Sequence, residues 1–377
     1  MSNTQKKNVP ELRFPGFEGE WEEKQLGDLT DRVIRKNKNL ESKKPLTISG
    51  QLGLIDQTEY FSKSVSSKNL ENYTLIKNGE FAYNKSYSNG YPLGAIKRLT
   101  RYDSGVLSSL YICFSIKSEM SKDFMEAYFD STHWYREVSG IAVEGARNHG
   151  LLNVSVNDFF TILIKYPSLE EQQKIGKFFS KLDRQIELEE QKLELLQQQK
   201  KGYMQKIFTQ ELRFKDENGE EYPEWENKFI KDIFIFENNR RKPITSSLRE
   251  KGLYPYYGAT GIIDYVKDYL FNNEERLLIG EDGAKWGQFE TSSFIANGQY
   301  WVNNHAHVVK SNDHNLFFMN YYLNFKELRA FVTGNAPAKL THANLCNINL
   351  KIPCLTEQDK VSALLKSIDN KMNNQMN

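Results

Sequence analysis

Cysteine is scarce: Cys113, Cys346 and Cys354 are the only three in 377 residues. They form no Cys-x-x-Cys pair and no even framework, which excludes a disulfide scaffold and reads as reduced thiols. Long apolar runs are missing too. No stretch approaches 18 apolar residues, and the polar N-terminus has no apolar signal core. Neither a membrane-spanning helix nor a secretory signal is therefore expected, and a cytoplasmic location is the default.

Catalytic signatures are absent in the same way. No Gly-x-x-x-x-Gly-Lys-Ser/Thr loop is present, which excludes a P-loop ATPase, and no glycine-rich turn opens a helix after a strand. The Asn/Asp-Pro-Pro-aromatic motif of amino-methyltransferases does not occur. Glu281-Asp282-Gly283-Ala284-Lys285 is the nearest approach to a nuclease acid cluster, but its spacing fits a loop with a salt-bridging lysine better. His305-Ala306-His307 would put two imidazoles on one strand face. With no third ligand at a workable spacing, no metal site is expected.

Net charge is only +1, so any case for nucleic acid must rest on distribution. Arg32, Arg35, Lys36, Lys38, Lys43 and Lys44 crowd one segment. Between Phe81 and Tyr102 stand Lys85, Lys97, Arg98 and Arg101 with no acid until Asp103. Acid gathers at Glu187 to Glu194 and at Asp216 to Glu226.

What the chain does have is ordinary globular composition, 39% apolar and 26% charged, long enough for two or three cores, and a repeat. Glu11-Leu12-Arg13-Phe14 returns as Glu211-Leu212-Arg213-Phe214, with Gly19-Glu20 and Trp21 returning as Gly219-Glu220 and Trp225. Asp28-Leu29 and Asp232-Ile233 follow seven residues after each tryptophan. Each half also closes alike, with Pro167-Ser168-Leu169-Glu170-Glu171-Gln172 matched by Pro353-Cys354-Leu355-Thr356-Glu357-Gln358. Between these frames the two halves look unrelated.

The interiors read as α/β units of short strands with Gly, Ser and Asn breaks. Leu107 to Ile116 reads as a buried strand and Ser121 to Val138 as a helix. From Leu169 to Phe208 the chain has no proline and two glycines, and Pro167-Ser168 supplies a stop and cap. Ile175, Phe179, Leu182, Ile186, Leu193, Leu196, Tyr203 and Ile207 step by four and three, a heptad seam that Glu189 and Lys200 interrupt. Forty helical residues span roughly 60 Å, and such a stripe needs a partner helix. The closing helix repeats the spacing at Val361, Leu365, Ile368 and Met372, but over fewer heptads.

The interior loops carry cations, amides, hydroxyls and rings that suit phosphate and base contacts. In the first half these are Lys85, Ser86, Tyr87 and Asn89, with Lys97, Arg98, Arg147 and Asn148. In the second they are Lys285, Trp286, Asn304, His305 and Lys339. Turn-rich surface loops are the other reading of the same composition.

The opening around Glu11–Trp21, the Ile164–Asp183 helix start and their second copies resemble the specificity (S) subunit of Type I restriction–modification systems, over nearly the whole chain. The resemblance implies mixed α/β target-recognition domains in tandem, each followed by a helix, the two helices forming an antiparallel coiled-coil spacer. The expected divisions are a first recognition domain at 1–165, a central spacer helix at 166–208, a second recognition domain at 209–352 and a short C-terminal helix at 353–377. It further implies that the chain binds double-stranded DNA at a bipartite target and performs no chemistry itself. Methyltransferase (M) subunits would dock on it and restriction (R) subunits join through them, directing adenine methylation or ATP-dependent cleavage. S-adenosylmethionine, ATP and Mg would belong to those subunits, with no cofactor here. The family pattern has two helices of similar length. The short second helix therefore leaves Leu193, Leu196, Tyr203 and Ile207 without an obvious cover, and an M subunit or a second copy is expected to supply it. A stand-alone DNA methyltransferase or nuclease, and a tandem coiled-coil scaffold that ignores nucleic acid, are the rival readings.

Overall fold

The structure, a computed structural model, describes residues 8–50, 52–61, 69–86, 90–142 and 152–376. It divides into two compact units, Met1–Glu187 and Leu188–Asn377. In the first unit β1 (Glu22–Gln25), β2 (Thr30–Arg32), β3 (Phe81–Asn84), β4 (Ala95–Arg98) and β5 (Tyr111–Ile116) are followed by α1 (Lys122–Asp130), α2 (Val156–Phe159), β6 (Leu163–Tyr166) and α3 (Leu169–Phe208). Strands β2-β5-β3-β4 form one four-stranded sheet and β1-β6 a separate pair. The middle strands β3 and β5 carry Phe81, Tyr83, Ile112 and Phe114 into a core closed by Phe124, Phe129, Trp134 and Phe159. Short strand pairs around Leu46, Leu54, Ile76 and Leu107 build a second, smaller core.

Two element boundaries differ from the sequence reading. The Leu107–Ile116 segment is two strands, Ser104–Leu107 and Tyr111–Ile116, because Tyr111 N donates to Ser108 O and leaves Leu110 exposed at the turn. The Ser121–Val138 helix stops at Asp130 and resumes at Tyr135. There the Ser131 hydroxyl donates to Tyr128 O and accepts from His133 N, competing with the next helical turn.

The second unit contains β7 (Glu226–Phe229), β8 (Ile235–Phe236), β9 (Arg276–Gly280), β10 (Ser293–Ala296), β11 (Ala306–Lys310) and β12 (Asn349–Ile352), with α4 (Leu316–Phe325), α5 (His342–Cys346) and α6 (Leu355–Met376). Its sheet runs β8-β11-β9-β10, beside the pair β7-β12. Each strand thus stands where the strand six numbers earlier stands in the first unit. Interiors that share no sequence pattern share a topology. What the second unit adds is a three-stranded sheet from Lys251–Tyr257, Ile262–Val266 and Trp301–Val302.

The repeated frame residues build the same clamp twice. Arg13 Nε and Nη2 donate to the Glu171 carboxylate at 2.8 and 2.7 Å; Arg213 meets Glu357 at 3.3 and 2.8 Å. Next to each glutamate, Gln172 Nε2 donates to Pro167 O and its Oε1 accepts from Ser121 N. Gln358 does the same with Pro353 O and Asn315 N. Ser121 and Asn315 are the N-caps of α1 and α4, so each clamp ties a Pro-started helix to the helix beside the sheet. Trp21 packs edge-on against Phe124, and Trp225 against Phe318, both at 6.0 Å. Trp225 Nε1 also donates to Glu357, whereas Trp21 Nε1 has no acceptor among the described residues.

The central helix is shared between the two units and forms no body of its own. At its start Gly176 lies against α1, where a Cβ would come within 2.6 Å of Phe124 N. At its end Met204, Ile207 and Phe208 enter the second core with Val361 and Leu365 of α6. Lys200 Nζ reaches Asp369 at 2.6 Å. Residues rising from 200 to 207 thus meet residues falling from 369 to 361, and the two helices run antiparallel. This moves the gap in the seam. Ile207 is buried, Tyr203 packs on the second core, and Leu193 and Leu196 are half-buried. The bare side chains are Phe178 (50% exposed), Phe179 (43%), Leu182 (43%) and Ile186 (50%). The exposed seam side chains of α3 lie toward its start and the buried ones at its end.

Two arginines and two glutamates hold β8 to β9 in the second unit. Arg240 donates to both Glu274 oxygens at 2.8 and 2.7 Å, and Arg276 to Glu237 at 2.5 Å and to Glu274. Hydrogen bonding from Arg240 holds the Glu274 carboxyl down from 4.5 to about 2. A lowered carboxylate contributes stability above its unfolded value and loses it as pH falls. The second unit is expected to weaken between pH 4.5 and about 2. Melting curves across that window check this, and Glu274→Gln should flatten the decline.

Candidate nucleic-acid interface

At the C-terminal end of β9 the chain leaves the sheet as Glu281-Asp282, and three other segments converge there. Glu281 N donates to His305 O, Leu340 N donates to Glu281 O, both at 2.8 Å, and Asp282 bridges to Lys339 through the backbone. The loop after Tyr257 also comes close: a Cβ on Gly280 would lie 3.0 Å from Ala259 O. Only glycine lets these backbones meet.

The charges at this end are held in place. Arg241 Nη1 donates to Glu281 Oε2 at 2.7 Å and to Ala306 O at 2.9 Å. His307 is buried; its Nε2–H donates to Leu340 O, and Nδ1 accepts from Asn238 Nδ2 at 3.1 Å. Burial lowers its pKa, with the Leu340 hydrogen bond acting against it, and keeps the ring neutral. Above this floor stands His305, 49% exposed, with Nδ1 hydrogen-bonded to Asp282 Oδ1 and its backbone N donating to Asn303 Oδ1. Lys339 Nζ lies 3.2 Å from the other Asp282 oxygen. Asn304 and Lys285 are exposed beside them in the sequence-selected loops.

The first unit shows the same place in other residues. β3 ends at Asn84, and Lys85 O accepts from Leu152 N, just ahead of α2, at 2.9 Å. Lys85 Nζ meets Val154 O at 3.4 Å, and Ser86 N donates to Asn84 Oδ1. Tyr91 O–H donates to Gly50 O, its ring filling the space a Cβ on Gly50 would need. Both sheets therefore end in a rim where the strand after β2 or β8's second neighbour meets the segment leading into α2 or α5.

The residues from 18–198 and 222–377 match the family model for the Type I restriction modification DNA specificity domain. The chain belongs to this family. It is 40% identical over 147 residues to a type I restriction enzyme specificity subunit of Haemophilus influenzae, covering 38% of this chain and 37% of that relative. It is 24% identical to the MjaVIII specificity subunit of Methanocaldococcus jannaschii over 97% of this chain and 89% of that one. The chain thus spans little more than a third of the first relative's length and most of the second's. In fold it is similar to the S subunit of a type I restriction–modification system from M. genitalium, with a TM-score of 0.64 at 16% identity over 98% of this chain and 94% of that one.

Within these specificity domains the selected residues fall into four groups. Lys85, Ser86, Asn304, His305 and Lys339 lie at the two rims, and Lys285 is on the loop leaving the second. Trp286 does not offer a ring for stacking: it is buried, with Nε1 donating to Gly280 O, and packs in the core. Lys97 and Arg98 face α1 instead, paired with Asp130 at 2.6 Å and with Asp123 and Glu126 at 2.6 and 3.2 Å. Two cations of the stretch that looked free of acid are therefore neutralised by a helix further along the chain, and Arg101 by Glu59 at 3.6 Å. Tyr87, Asn89, Arg147 and Asn148 lie outside the described residues.

Asp282 is bridged by Lys339 and His305, and the nearby Lys285 has no ion-pair partner among the described residues. The two histidines of His305-Ala306-His307 also part company, one exposed and one buried. Among the described residues no group of three or more His, Cys, Asp or Glu is placed to hold a metal. No helix among them is long and apolar enough to cross a membrane. Sequence reasoning missed Arg241 and Asn238, which support the second rim from about 65 residues away, at no spacing that would mark them.

Proposed function

We propose that this chain is the DNA-specificity subunit of a Type I restriction–modification complex, with each unit reading one part of a split double-stranded target. The observation that carries this reading is the pair of rims. One sheet topology, fixed by one repeated clamp, presents Lys85 and Ser86 in one unit and Asn304, His305 and Lys339 in the other at the same strand end. A scaffold that only joined proteins would have no need of two different polar rims. Lysines would hold phosphates and the neutral polar groups would read base edges. The antiparallel helices would set the spacing of the two half-sites, which must suit the roughly 34 Å turn of DNA if one face is read. Methyltransferase subunits dock on this scaffold, restriction subunits join through them, and S-adenosylmethionine, ATP and Mg are used there.

Gel shifts of duplex DNA across a salt series test the binding. Affinity should fall steeply, with log K losing about 0.9 per decade of salt for every phosphate contacted. The chain alone should transfer no methyl group, and the chain with its methyltransferase subunit should methylate adenine at a gapped motif. Methylation by the chain alone, or no salt-sensitive binding, would sink the reading.

A further inference from the structure

The proposed reading assigns the second rim to DNA without saying which side chain chooses the base. We infer that His305 is a specificity-determining residue of the second unit and that Asp282 is its positioning residue; this rests on the DNA-specificity reading above. An exposed imidazole on a loop ordinarily samples several rotamers, and a reader that must be ordered on binding loses affinity and discrimination. Here both ends of the residue are fixed. The backbone N of His305 donates to the buried Asn303 side chain at 2.8 Å, and its carbonyl accepts from Glu281 N. The ring is fixed through Nδ1, which must carry its hydrogen to meet the Asp282 carboxylate.

Asp282 is itself held. Its side chain is 14% exposed, its second oxygen meets Lys339 Nζ at 3.2 Å, and its backbone bridges to Lys339. With Nδ1 committed, Nε2 is the one ring nitrogen of His305 left to a ligand, and half of the ring surface is open. With Nδ1 held by the carboxylate, the ring presents Nε2 to the base edges of the major groove. Lys339, tethered to the same carboxylate, and Lys285 are point charges suited to the flanking phosphates. His307, two residues on, is excluded from this role by burial and by its bond to Leu340 O.

The test uses the full chain co-expressed with its methyltransferase subunit, with methylated bases sequenced across the host genome. His305→Ala should relax one or two adjacent positions of a single half-site by about tenfold, leaving the other half-site and the gap unchanged. Asp282→Ala should relax the same positions, because the ring loses its anchor. Lys285→Ala should keep the motif and lower the salt slope of binding by about one contact. Melting of the His305→Ala protein should match that of the parent, since the ring is not in a core. If the parent yields a gapped motif and His305→Ala leaves it intact, the inference is overturned and the DNA-specificity reading survives. If the parent yields no gapped motif, the reading itself has failed.

Discussion

Glu357→Ala lowers the stability of the second unit by about 3 kcal/mol, a fall in melting temperature of roughly 6 to 12 °C for a unit of this size. The carboxylate is 1% exposed and accepts from Arg213 Nε and Nη2 and from Trp225 Nε1. Once it is gone, the guanidinium cannot swing into water, because Nη2 is also bound to Tyr222 O and Pro223 O at 3.1 and 2.7 Å. The cation keeps those carbonyls and Glu224 at 3.8 Å, but it and the indole N–H lose their buried carboxylate, the costly way to break an ion pair. Calorimetry of the full chain reads the effect, with the transition of the first unit expected to stay in place. Adding Arg213→Met to the variant should recover part of the loss, since it removes the stranded charge. A single variant that melts with the parent would mean solvent reaches the clamp and screens it.

Trp134→Ala is the corresponding experiment on the first unit, with an expected cost of about 4 kcal/mol. The indole is 1% exposed and sits where the first unit's helices break, edge-on to Tyr83 at 6.0 Å and Phe129 at 6.3 Å. Its Nε1 donates to Phe129 O, the carbonyl that the interrupted helix leaves unused. Alanine would open a cavity against β3 and orphan that carbonyl at the same time. Trp134→Phe keeps most of the volume and should cost about half as much. Chemical denaturation gives the comparison; equal losses for the two variants would put the whole effect in the hydrogen bond and none in packing.

The frames were legible in the sequence because their function is local. A proline, a cap and a Glu-Gln pair at fixed spacing determine where a helix starts and what its first turn holds, and Glu171, Gln172, Glu357 and Gln358 do just that. Position along the seam was legible, but its pairing was not. Val361 and Leu365 carry the right periodicity, yet only the three-dimensional return of the chain decides whether they cover Ile207 or Ile186. The common sheet order of the two interiors was hidden because strand pairing sets side-chain alternation, not identity. At the rims, composition found Lys85, His305 and Lys339. It also took in Trp286, a core residue, and Lys97 and Arg98, whose charges α1 absorbs. Charge balance read along the chain misses partners that folding brings from elsewhere.

The bare start of the central helix also bears on supply inside a cell. Phe178, Phe179, Leu182 and Ile186 are 43 to 50% exposed along one stretch of helix, the kind of surface that chaperones hold and proteases sample. Copies in which that stretch stays bare should be the short-lived ones.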